Sequence, residues 1–159
     1  EQENWFRSRE KSQGRILEEK GTKILLAGHP YVLHDAYMGC GISDILKNMG
    51  HKVLYTDFVD RESALKRSYH FSKVMPWIVN REMTGAIMLL KDKVDGIVLV
   101  SAYPCGPDAL VNDMLMRKIK GLPVLQLTLD AQEGMAGIET RIESFTDIIQ
   151  YQKAGGYGN

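Results

Sequence analysis

A cysteine set where a strand gives way to a helix is the residue of this chain best placed to do chemistry. It stands in Ser101-Ala102-Tyr103-Pro104-Cys105-Gly106-Pro107-Asp108. Ahead of it, Val94-Asp95-Gly96-Ile97-Val98-Leu99-Val100 has the apolar, β-branched character of a strand buried on both faces. Behind it, Pro107 suits a first helical position, and Ala109 to Lys120 read as a helix stopped by Gly121 and Pro123. A thiol at such a junction meets unpaired backbone N–H groups and the positive end of a helix dipole. Both favour the thiolate, the form that ligates metal or attacks electrophiles. A small residue packed into a tight turn would have the same neighbours, so the junction alone does not choose between the two.

The elements that would position Cys105 alternate regularly. Strands are expected at Lys23–Gly28, Lys52–Thr56, Gly96–Val100 and Pro123–Leu129. Helices are expected over Trp5–Lys20, Ala36–Met49, Trp77–Lys91, Asp108–Lys120 and Gly137–Tyr151, with a less regular excursion between Asp57 and Ser72. Such alternation means an α/β domain: a flavodoxin- or Rossmann-like three-layer fold whose four-stranded parallel sheet has the order 2-1-3-4. The domain is expected over residues 21–152, with a flexible tail at 153–159. Residues 1–20 read as a helix linking to a missing upstream domain, so the chain reads as a piece of a longer protein.

In that strand order the loops after strands 1 and 3 are neighbours at the carboxyl edge of the sheet, where ligands of such folds bind. The first loop carries His29, Tyr31, His34 and Asp35, and Cys40 is expected inside the helix that follows. The second carries Ser101, Tyr103, Cys105 and Asp108, and the loop after strand 4 adds Asp130, Gln132 and Glu133. Ordinary structural roles exist for several of these. His29 before Pro30 can bond a backbone carbonyl, Asp35 can cap the following helix, and Cys40 between two glycines can be a packed thiol. Two cysteines with His29 or His34 could make a zinc site, but no C-x-x-C pair supports it. Neither a phosphate-loop motif nor a G-x-S-x-G elbow occurs.

Composition narrows the class further. The 159 residues carry 20 basic and 20 acidic side chains, which argues against a nucleic-acid surface. No apolar stretch approaches the roughly 20 residues of a membrane span. Two cysteines do not make a secreted disulfide scaffold, and a cytoplasmic location is expected.

Three segments read together resemble a known family: Gly28-His29-Pro30-Tyr31 with Asp35, Pro104-Cys105-Gly106-Pro107-Asp108, and Leu129-Asp130 leading to Thr140-Arg141-Ile142-Glu143-Ser144-Phe145. Over about Gly21 to Ile149 the chain resembles 2-hydroxyacyl-CoA dehydratase-related proteins, the iron–sulfur proteins associated with acyl-CoA dehydratase activases. The resemblance implies the C-terminal α/β domain of a cluster-binding chain, taking part in low-potential electron transfer driven by an ATP-hydrolysing activase. It implies Cys105 as a cluster ligand, with further ligands from the missing domain, and His29, Tyr31 and Asp35 lining the same cleft. Cys40 matches no ligand of the pattern, and Ala131 stands where the family has a second acidic residue. A four-iron cluster takes about four protein thiolates, so the chain by itself is expected to hold none and to be inactive. Whether the parent is a dehydratase-like lyase or a reductase is left open. The other reading is a non-redox α/β module binding a small anion or acyl-CoA fragment at the helix N-termini. Trp5 and Phe6 would face either the missing domain or a second copy of the chain.

Overall fold

The continuous apolar runs become the four strands of one parallel sheet. The computed structural model describes residues 2–35, 37, 41–103, 105–130 and 135–156. In chain order the elements are α1 (Gln2–Glu18), β1 (Lys23–Gly28), α2 (Pro30–His34), α3 (Ile42–Asn48), β2 (Lys52–Tyr55) and a 3-10 turn (Thr56–Phe58). Then follow α4 (Arg61–Ser68), α5 (Ile78–Leu90), a second 3-10 turn (Lys91–Lys93), β3 (Gly96–Ala102), α6 (Gly106–Lys118), β4 (Val124–Leu129) and α7 (Met135–Lys153). The sheet order is β2-β1-β3-β4, all parallel, as the alternation predicts.

Side-chain alternation along the strands separates the core into two halves. Ile24 and Leu26 of β1, Val98 and Val100 of β3 and Leu127 of β4 pack with α2, α3 and α7. Leu25 and Ala27 of β1 and Ile97 and Leu99 of β3 face the other way, against α5 and α6. Ile16 and Leu17 of α1 join this second half, so α1 packs as part of the same body. Both faces of the sheet are covered, which is why β1 and β3 tolerate no polar alternation.

Two segments differ from expectation. The stretch expected as a loop, from His29 to Asp35, contains α2, because Pro30 presets a helical φ at its first position. The single helix expected over Ala36–Met49 is interrupted. Asp35 leaves α2 in an extended conformation, and Gly41 enters α3 with a left-handed φ of 63°, open to glycine and costly to other residues. The excursion after β2 resolves into the 3-10 turn and α4, whose N-cap Asp60 accepts a hydrogen bond from the Ser63 N–H.

The outer strands need partners for backbone groups that no neighbouring strand serves. Gln13, buried on α1, provides them on the β2 side. Its Nε2 donates to the Tyr55 carbonyl at 3.0 Å, while its Oε1 accepts from the Tyr55 N–H at 2.8 Å. On the β4 side, Arg141 of α7 donates to the Gln126 carbonyl at 2.6 Å. A buried backbone group left unpaired costs about as much as a lost hydrogen bond, so Gln13 fixes α1 against β2, while the exposed Arg141 bond ties α7 to β4. Gln13→Ala removes both partners of Tyr55 and should lower unfolding free energy by about 1–3 kcal/mol, read from the urea midpoint.

His51, just before β2, is buried with no partner at Nε2. Burial, and next the charge of Lys153, hold it below the ordinary histidine value, with Asp95 opposing. The unfolded chain therefore binds this proton at higher pH than the folded chain does. The stabilising contribution is complete above the ordinary value near pH 6.5 and is lost as pH falls below it. Urea midpoints should decline between about pH 6.5 and pH 5. In His51→Gln that decline should be visibly shallower.

Candidate functional site

The adjacency of β1 and β3 is tight at their carboxyl ends. A Cβ on Gly28 would lie 2.5 Å from the Val100 carbonyl oxygen, so β1 can close on β3 here only with glycine. The next residue, His29, leaves the sheet beside α6. Its Nε2 lies 3.0 Å from Oδ1 of Asp108, the third residue of α6. Asn80 of α5, itself buried, donates from Nδ2 to the same oxygen at 3.1 Å. The carboxylate thus gathers α5, α6 and the β1 loop, and it sits in the first helical turn, where negative charge is favoured. The Asp108 side chain is 8% exposed and that of His29 is 24% exposed, so a buried acceptor orients a ring that still reaches solvent. The Tyr31 ring stands 5.5 Å from the His29 ring, tilted by 43°, and is itself exposed.

Cys105 occupies the N-cap of α6 with an extended backbone, φ −85° and ψ 122°. Its side chain makes no capping hydrogen bond, and the thiol is free and exposed. The preceding turn is strained. Tyr103 adopts φ 60°, in the left-handed region unusual for a residue with a side chain. Its N–H donates to the Leu129 carbonyl at 2.9 Å, and its own carbonyl accepts from the Cys105 N–H at 2.8 Å. Strain of this kind, held by hydrogen bonds on both sides, clusters at binding and catalytic positions. The turn sends the phenol ring of Tyr103 outward at the same edge as Cys105.

Of the other residues expected at this edge, Asp35 has a local role. Its Oδ1 accepts from the Tyr37 N–H at 2.8 Å, closing a turn where α2 ends, and the N-cap of α3 is Gly41. Ser101 belongs to β3 and is buried, not carried on the loop. Cys40, Gln132 and Glu133 lie outside the described residues. His34 is drawn away from the edge between β1 and β3. Its Nε2 meets Oδ2 of Asp57 at 2.7 Å, and its ring stacks on Phe58 at 5.2 Å. The ends of α2 are therefore tied in opposite directions, by His29 to α6 and by His34 to the turn after β2. Among the described residues no three His, Cys, Asp or Glu side chains converge as a metal-ion site, and the zinc arrangement of Cys40, Cys105 and a histidine has no described counterpart.

Sequence reasoning missed Asn80 and Asp57. Asp57 follows the second strand directly, and the expected strand order would have placed it beside the first loop. Asn80 lies at helical spacing from the apolar Met83 and Ile87 on the buried face of α5, a signal that a buried polar partner is needed there.

The sheet order defines a parallel α/β domain whose topological switch point lies between β1 and β3, at this edge. Residues 1–59 match the family model of the CoA enzyme activase uncharacterised domain (DUF2229). That segment spans α1 through the turn after β2 and so includes His29, Tyr31, His34, Asp35 and Asp57; Asn80, Cys105 and Asp108 lie beyond it. It supports a relationship to CoA enzyme activases and carries no information on an iron–sulfur group. No curated protein and no solved structure matches the chain. Among the described residues no helix is long and apolar enough to cross a membrane.

Asp108→Ala removes the acceptor shared by His29 and the buried Asn80. Unfolding free energy should fall by about 1.5–3 kcal/mol, more than the loss in His29→Ala, because the Asn80 donor is stranded in the interior. The double variant Asn80→Ala/Asp108→Ala should cost clearly less than the sum of the single changes, as groups sharing one hydrogen-bond network do. Additive losses in urea titrations would mean that the carboxylate does not join them.

Proposed function

We propose that this domain contributes one thiolate, that of Cys105, to an iron–sulfur cluster shared with a second cluster-binding domain, in a protein that receives electrons from an ATP-hydrolysing activase. The observation that carries the reading is the state of Cys105: exposed, free, uncommitted to capping, and fixed at the N-terminus of α6 on the switch-point edge. The match of residues 1–59 to a CoA enzyme activase domain supports the activase part, and the family resemblance supports the cluster.

The donor set fits a shared group and not a self-contained one. The described residues offer a single cysteine sulfur, whereas iron–sulfur clusters are held by about four thiolates. The remaining ligands would come from the second domain. Such a cluster, when bound, supplies one-electron transfer at a potential set by its charge, hydrogen bonds and exposure. The chain's own residues shape the ground around it. Cys105 stands at the N-terminus of α6, and the strained Tyr103 turn fixes the direction in which it leaves the sheet. Asp108 holds the His29 ring at the cleft wall, with Tyr31 beside it.

The deciding experiment measures iron, acid-labile sulfide and the EPR spectrum of the full-length parent, purified without oxygen, as wild type and Cys105→Ser. The expected outcome is a cluster in the wild type that is lost or spectroscopically altered in the variant. No cluster in either protein after reconstitution would overturn the redox reading. Ligand-dependent stabilisation that survives Cys105→Ser would then point to an anion or acyl-CoA fragment held at the same edge.

A further inference from the structure

A second recess lies at the opposite, amino edge of the sheet. There the end of α5, the segment after α4 and the connection from α6 to β4 line a recess of about 530 Å³ that is open to solvent on one side. Phe71, Met88, Ile119 and Leu122 form its apolar part. Lys91, Lys118 and Lys120 stand around it, with His70 and a single carboxylate, Asp92. Three lysines against one aspartate leave two positive charges in excess, in a chain whose formal net charge is zero.

Helix dipoles account for part of this concentration. Both α5 and α6 end at the cavity, and each C-terminus carries about half a negative charge, so the two together offset about one lysine. Internal partners account for part of the rest. Lys91 pairs with Asp92 at 2.9 Å, on a carboxylate that is 79% exposed and therefore well screened. Lys118 donates to the Phe71 carbonyl and lies 4.5 Å from the centre of the Phe71 ring, a contact that leaves its charge uncancelled. Lys120 makes no hydrogen bond or ion pair with any described residue. Positive charge therefore remains over an apolar floor, and lysine binds phosphate as a compact point charge.

We infer that this cavity binds a phosphomonoester of nucleotide size, its phosphate held between Lys120 and Lys118 and its flat or apolar body against Met88, Ile119 and Leu122. The volume lies within the range of small-molecule sites, and the lining joins an apolar floor to three lysines. The site is separate from the carboxyl edge and does not depend on any cluster at Cys105.

The test is calorimetric titration of the full-length protein with adenosine monophosphate, inorganic phosphate and adenosine. Adenosine monophosphate should bind more tightly than inorganic phosphate, and adenosine should show no binding. Added salt should weaken the nucleotide's affinity, as charge attraction requires. Lys120→Gln alters an exposed side chain without a partner, so the fold should survive, which a thermal melt verifies. It should weaken binding about tenfold, and Lys118→Gln/Lys120→Gln further. Equal affinity for phosphate and nucleotide would overturn the role of the apolar floor. No nucleotide binding at millimolar concentration, or binding unchanged in the double variant, would overturn the site itself.

Discussion

A carboxylate withdrawn from water must be surrounded by donors, and at Asp108 those donors come from elements far apart in the chain. His29 lies 79 residues away and Asn80 lies 28 residues away, yet both reach the same oxygen. Satisfying that oxygen requires the loop after β1, the first turn of α5 and the first turn of α6 to meet at one point. The meeting in turn requires β1 and β3 to lie side by side, which Gly28 permits by yielding space to the Val100 carbonyl. The position of Cys105, one turn ahead of Asp108, follows from the same arrangement.

The site is thus assembled by sheet topology and then tuned by local backbone. Tyr103 is bent into a conformation that few side-chain-bearing residues adopt, and hydrogen bonds to Leu129 and Cys105 keep it there. The sulfur that follows is exposed and makes no bond to the first turn of α6. A thiol that capped its own helix would have a partner already. Leaving this one uncommitted costs the helix a capping bond and keeps the sulfur available to something outside the chain.

The strands were plainly legible, because a strand buried on both faces has to be a continuous apolar run, as at Ile24–Ala27 and Ile97–Val100. The helix start near Pro107 followed from proline's fixed φ at a first helical position. The segment from His29 to Met49 was read less well. A loop was expected up to Asp35 and one helix from Ala36 to Met49, but Pro30 starts a short helix inside the loop and Gly41 starts α3 late. Placement of Cys105, His29 and Tyr31 at one edge followed from strand order. Strand order also brings Asp57 near the first loop, but the individual pairings of His34 with Asp57 and Asn80 with Asp108 are tertiary contacts with no spacing rule behind them.

The side chains of Gln13 and Arg141 also bear on how this domain can join other proteins. An open parallel sheet exposes a row of amide groups along each outer strand, which another chain can extend by strand addition. Here a glutamine side chain stands in for the missing strand beside Tyr55, and an arginine fills the corresponding place beside Gln126. At both rims an incoming β-strand would first have to displace a helix side chain already bonded to the backbone. Assembly is therefore steered toward helix faces and the ends of the sheet, and the two rims are guarded against the edge-to-edge stacking that leads to aggregation.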